Sequence, residues 1–241
     1  MVPEKTGFAV IGTALISYRV FGRGPRSVLL MHGNGEDWRT FEKLIPALAE
    51  EYTVAAMDSR GHGGSTFGSE PLNLKRIALD AAALMEKLEL KNPDIIGFSD
   101  GGNAALLLAL RYPELIGKLV VAGANLTTEG VIPYVQLPVE LGYRVCHALG
   151  RFIPQARDKS EILGLMVGQP NINPLRLEKI KADTLVLAGE QDIIKHSHTR
   201  LIADSIPRAK LMIVPGADHC IFGKWSDFTN KTILSFLRGE P

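Results

Sequence analysis

The 241-residue sequence predicts an α/β domain: a mostly parallel sheet, helices on both of its faces, and an antiparallel N-terminal edge. Three observations predict it. Short, nearly apolar β-rich runs recur along the chain, as strands buried on both faces require. Helical stretches alternate with those runs, the rhythm of crossover units. The first two runs are joined too tightly for a crossover, so they form a hairpin.

In chain order, Gly7–Ile11 and Ala14–Phe21 read as the hairpin strands, turning at Gly12-Thr13 and ending at Gly22-Arg23-Gly24-Pro25. Ser27–Met31 is a short apolar strand, Thr40–Glu50 has helical spacing, and Thr53–Met57 is again a strand. Leu72–Leu88 is a helix with Leu74, Ile77, Ala78, Ala81, Leu84, Met85 and Leu88 on one face. The remaining strands are Asp94–Phe98, Lys118–Ala122, Thr184–Ala188 and Lys210–Val214; the remaining helices are Asn103–Arg111, Ser197–Ser205 and Trp225–Leu237. One connection is far too long for a crossover. Residues 125–182 hold two helical stretches, Val131–Phe152 and Ser160–Val167, among five prolines, and read as a small helical lid. The expected organisation is therefore a core of residues 1–124 and 183–241 with a lid insertion at 125–182.

Composition narrows the function. With 46% hydrophobic and 22% charged residues and a net charge of +1, the chain suits one core and has no basic block for a nucleic-acid surface. No apolar run approaches the roughly 20 residues of a membrane span. The stretch Phe8–Ile11 is too brief for a signal-peptide core, so a cytoplasmic location is the expectation. Two cysteines, Cys146 and Cys220, make no disulfide framework and read as idle thiols, Cys220 as a partly buried one.

Ligands of α/β sheets collect at the carboxyl ends of the strands, so the residues just after each strand carry the chemistry. After Asp94–Phe98 comes the turn Gly97-Phe98-Ser99-Asp100-Gly101-Gly102, whose glycines let a strand reverse into a helix while the serine takes a strained conformation. A serine hydroxyl is a weak nucleophile that needs a base, and the base needs an orienting acid. The strand Thr184–Ala188 runs into Gly189-Glu190-Gln191-Asp192, and Lys210–Val214 runs into Pro215-Gly216-Ala217-Asp218-His219. Ser99, Asp192 and His219 thus stand as nucleophile, acid and base, each delivered by its own loop. Two N–H groups for a developing oxyanion are expected from Asp100 and from Asn34 in His32-Gly33-Asn34-Gly35.

These segments, with Met57-Asp58-Ser59-Arg60-Gly61-His62-Gly63-Gly64-Ser65, resemble the α/β-hydrolase superfamily from about residue 14 to 237, the lid excepted. The Ser-Asp-Gly-Gly elbow is similar to that of small-lid biphenyl-hydrolase-like and valacyclovirase-like esterases. The resemblance implies the α/β-hydrolase fold and hydrolysis of a small-molecule ester or related acyl compound, without metal or organic cofactor. A carbon–carbon bond hydrolase, an amidase, or a ligand-binding relative without turnover are the alternatives. Dehalogenase chemistry on this fold would need a carboxylate where Ser99 stands.

Plainer roles compete at several positions. Asp192 could cap the following helix, and Asp218 neighbours His219, although adjacent residues reach the same ring nitrogen with difficulty. His32 and His62 read as loop braces; His147, His196 and His198 read as packing or surface groups. The Asp100 carboxylate either bonds a nearby loop or selects a cationic substrate. Trp38 either lines the pocket or anchors the next helix. Tyr134, Leu137, Leu141, Tyr143, Leu163 and Met166 either roof an apolar pocket or pack the lid on the core.

Overall fold

The computed structural model describes residues 1–240. Eight strands form one sheet: β1 (Lys5–Ile11), β2 (Ala14–Phe21), β3 (Arg26–Met31), β4 (Tyr52–Met57), β5 (Asp94–Phe98), β6 (Leu119–Ala122), β7 (Thr184–Gly189) and β8 (Ala209–Val214). Their order is β1-β2-β4-β3-β5-β6-β7-β8. β2 pairs antiparallel with both β1 and β4, and every other pair is parallel. The α/β architecture with an antiparallel edge read from the alternating pattern is the one found.

The inner strands β3 to β7 are buried almost throughout because helices cover both faces. On one face, α2 (Leu74–Lys87), α3 (Asp100–Arg111) and α6 (His196–Ser205) enclose a core that includes Leu29, Ile95, Leu119 and Val186. On the other, α1 (Ile45–Leu48) and α7 (Ser226–Arg238) close over Leu30, Ile96, Val120 and Leu187. Adjacent residues of one strand therefore feed opposite cores, the period-two rule of a pleated sheet.

Three helices differ most from their sequence-derived bounds, and proline bears on each. The expected helix Thr40–Glu50 is a 3-10 turn, Trp38–Phe41, followed by the four-residue α1. Pro46 has no N–H to bond four residues back, so the helix restarts at Ile45 instead of running through. In the long connection, α4 spans Pro133–Leu149 and α5 spans Pro154–Val167, not Val131–Phe152 and Ser160–Val167. Pro133 and Pro154 open these helices, because proline is pre-set for the first turn, where an N–H has no helical acceptor anyway. The α4 and α5 helices pack against each other, and no helix among the described residues is long and apolar enough to cross a membrane.

Below the sheet's carboxyl edge, Arg60 and Asp80 form a fully buried pair: Nη2 and Nε donate to the two carboxylate oxygens at 2.7 and 2.8 Å. Arg60 Nη1 also donates to the Phe67 carbonyl at 3.1 Å, so the loop after β4 is clamped to α2. Burial outweighs the nearby guanidinium and holds the Asp80 carboxyl above its ordinary pKa.

Candidate active site

Ser99 sits between β5 and α3 with φ 53° and ψ −121°, a left-handed conformation that costs a non-glycine residue about 1–3 kcal/mol. The flanking glycines make the turn possible by absence. A Cβ on Gly97 would lie 2.4 Å from the Gly101 carbonyl oxygen, and one on Gly101 would lie 2.1 Å from the Met31 oxygen. Either clash would push α3 off the sheet and take Ser99 with it. The Ser99 N–H donates to the Ala122 carbonyl at 2.8 Å, tying the strained residue to β6.

The structure brings Ser99, Asp192 and His219 together from three strand ends. His219 Nε2 lies 3.1 Å from Ser99 Oγ, and Nδ1 lies 2.7 Å from Asp192 Oδ1. The His219 ring leans on Phe98 with centroids 4.9 Å apart, which limits its rotation. Asp192 is buried, and its Oδ1 also accepts the Ile194 N–H at 2.9 Å while Oδ2 accepts the Gly189 N–H at 3.1 Å. Burial by itself would raise this carboxyl. The His219 ring and the two backbone donors outweigh it and hold Asp192 below the ordinary carboxylate range. Asp192 therefore organises its own loop as well as the ring, while Lys195 takes the position before α6 where a cap would sit. Asp218 bonds the Cys220 N–H at 2.8 Å and leaves His219 to Asp192.

Asp100 occupies the first turn of α3, where N–H groups have no acceptor within the helix. Its carboxylate is buried under two amides: Asn34 Nδ2 donates to Oδ2 at 2.9 Å and Asn103 Nδ2 donates to Oδ1 at 3.3 Å. Burial raises its pKa, and those donors offset only part of that. Asn103 is in turn held by Asn125, which receives a 3.1 Å bond on Oδ1 and donates its own N–H to Asn103 Oδ1 at 2.9 Å. The Asn34 side chain reaches further, donating to the Ile162 carbonyl of α5 at 2.8 Å. Sequence reasoning assigned Asn34 through its backbone alone and missed this side-chain bridge.

Other expected groups fall as follows. Trp38 packs against Phe21 at a 35° tilt with centroids 5.6 Å apart, and the guanidinium groups of Arg19 and Arg39 lie over its ring. Tyr134 and Leu137 are 75% and 63% exposed. His32 Nε2 accepts the Ser59 N–H at 2.9 Å and Nδ1 contacts the Gly33 carbonyl at 2.8 Å, which makes Nδ1 the protonated nitrogen. Burial, with neighbouring His62, lowers its pKa to about 4. Cys220 is exposed, not partly buried. Glu36 was not anticipated: its Oε2 accepts the Gly33 N–H at 3.0 Å and the Thr40 hydroxyl at 2.8 Å. The only sequence signal was a carboxylate three residues after a loop glycine.

A family model described as alpha/beta hydrolase fold matches residues 26–145. The chain is 26% identical to the serine hydrolase BPHL of Mus musculus, covering 98% of this chain and 91% of that protein. It is 28% identical to 2-hydroxy-6-oxononadienedioate/2-hydroxy-6-oxononatrienedioate hydrolase 2 of Pseudomonas putida, covering 92% and 91%. In structure it matches the enol-lactonase of Burkholderia xenovorans LB400 with a TM-score of 0.81 at 20% identity, over 96% of this chain and 99% of that one. With this fold, these hydrolase relatives and the strained serine turn between β5 and α3, the chain has the α/β-hydrolase fold and resembles the serine hydrolases that share it.

Proposed function

We propose that this protein is a serine hydrolase that cleaves a small carboxylic ester through an acyl-enzyme. One observation carries the reading: the unbroken chain of hydrogen bonds from Asp192 through His219 to Ser99 on a strained turn. His219 Nε2 takes the Ser99 proton as Oγ bonds to the acyl carbon, and the carbonyl electron pair moves onto oxygen. The N–H groups of Asn34 and Asp100 receive that oxyanion, each worth roughly 3–4 kcal/mol. Collapse re-forms the carbonyl and expels the alkoxide, which takes the proton from His219. Water, deprotonated by the same nitrogen, then releases the acid. Asp192 fixes the ring and stabilises its charged form.

The bond from Asn34 to Ile162 supports reading residues 125–182 as a lid seated on the oxyanion loop, with Tyr134 and Leu137 on its free face. The Pseudomonas putida relatives favour a second reading, carbon–carbon bond hydrolysis with the same triad. Their named dioate substrates are dianions, however, and the Asp100 and Glu36 carboxylates flanking Ser99 argue against such a ligand here. Hydrolysis of p-nitrophenyl acetate is the test. The expected result is turnover by the wild type and loss of it in Ser99→Ala; retained turnover would remove Ser99 from its role.

A further inference from the structure

A second recess adjoins the triad. It is a cleft of about 200 Å³ whose lining includes Phe98, Cys220, Phe222 and four charged side chains, Glu36, Arg39, Glu42 and Lys43. Two of its walls are the immediate neighbours of Ser99 and His219, namely Phe98 and Cys220. The third begins at the oxyanion loop: a methyl on Gly33 would lie 3.0 Å from Ser99 Cβ and 2.9 Å from Glu36 Oε2. The cleft therefore lies beside the reacting centre.

Its chemistry is specific. The floor is an edge-to-face aromatic pair, Phe98 and Phe222, with centroids 5.5 Å apart. Glu36 stands over that floor, and both its hydrogen bonds come from neutral donors and fall on Oε2. Arg39 is spent on Asp37 at 2.6 Å, and Lys43 is turned to the Gly223 carbonyl at 3.0 Å. Neither cation bonds Glu36, whose charge is felt around the site. After burial, it is among the influences that raise both the Asp100 carboxyl and the Cys220 thiol. A carboxylate beside aromatic faces is a receptor for a soft cation, through charge and through the ring quadrupoles together. The volume is below the roughly 300–1,000 Å³ of drug-sized pockets, so it takes a fragment of a few heavy atoms.

The direction of the substrate follows from the proton. The leaving alcohol must lie within reach of His219 Nε2 to be protonated, and Cys220, the next residue along the chain, lines the cleft. We propose that this cleft is the alcohol subsite and that Glu36 selects esters whose alcohol carries a small alkylammonium group. The proposal rests on the serine-esterase reading above.

The test compares two acetate esters of nearly equal shape, that of choline and that of 3,3-dimethylbutanol, in which carbon replaces the charged nitrogen. The wild type is expected to favour the choline ester in kcat/KM by about tenfold or more. Glu36→Gln keeps an oxygen for the Gly33 and Thr40 donors but removes the charge, and it is expected to bring that ratio close to one. Raising the salt concentration should lower the wild-type ratio, a readout that requires no variant to fold. A wild-type ratio near one, or a ratio unchanged in Glu36→Gln, overturns the proposal. An enzyme that cleaves p-nitrophenyl acetate but neither alkyl ester also overturns it and leaves the hydrolase reading standing. Failure on p-nitrophenyl acetate itself removes that underlying reading, and the subsite with it.

Discussion

Replacing Asp192 with asparagine tests the triad through geometry while leaving the shape of the residue almost unchanged. The carboxylate accepts on both oxygens: His219 Nδ1–H and the Ile194 N–H on Oδ1, the Gly189 N–H on Oδ2. An amide has one oxygen, and either orientation fails. With oxygen at the Oδ1 position, the NH2 group faces the Gly189 donor. With NH2 there instead, it meets the Ile194 donor and obliges His219 to present a bare Nδ1. The ring proton then moves to Nε2, 3.1 Å from Ser99 Oγ, where the base must accept. A wrong tautomer of this kind lowers kcat by about 10⁴-fold, which is about 5 kcal/mol of transition-state stabilisation. The assay is steady-state p-nitrophenyl acetate hydrolysis alongside a thermal melt. A folded Asp192→Asn protein within tenfold of wild-type kcat would refute the role given to this hydrogen bond.

Two further outcomes concern the scaffold. Arg60→Met strands the buried Asp80 carboxylate and is expected to cost about 3–5 kcal/mol in urea denaturation, whereas Arg60→Met with Asp80→Leu recovers much of it; a double variant no more stable than the single one would contradict this. His32 is neutral in the fold, with its pKa lowered from 6.5 to about 4, so the unfolded chain binds a proton there first as the pH falls. Its contribution is full above pH 6.5 and fades toward pH 4, by up to about 3 kcal/mol. Urea midpoints measured across that window should fall more steeply for the wild type than for His32→Gln, and parallel curves would exclude His32 as the source.

What could be read from the sequence was what depends on neighbours along the chain. Apolar runs five or six residues long locate the strands, and a reactive side chain just after such a run is already at the catalytic edge of a parallel sheet. Ser99, Asp192 and His219 were legible for that reason. Contacts with no period were not. The Asn34 bridge to Ile162 joins residues 128 apart, and the Asn103–Asn125 pair joins α3 to the loop after β6, which only the fold brings together. The Arg60–Asp80 clamp links two residues whose charge would place them on a surface. Glu36 has the same difficulty: its meaning depends on Phe98 and Cys220, which no local pattern connects to it. Helix ends failed where proline has two opposite effects. Pro46 interrupts a helix and Pro133 begins one, and only the course of the preceding backbone tells them apart.

The Asn34 amide has a consequence for how the protein opens. One NH2 group is shared between a carboxylate beside the nucleophile and a carbonyl of the overlying helix. Any movement that lifts α5 breaks a bond whose donor is also the partner of a buried anion. The rigidity of the floor and the position of the roof are therefore one thermodynamic variable, coupled through a single side chain. On the proposed mechanism, a ligand that pressed α5 down would stiffen the residue whose backbone is to meet the oxyanion, and a raised helix would slacken it. If α5 is the lid, admission of substrate and readiness of the floor would both pass through Asn34.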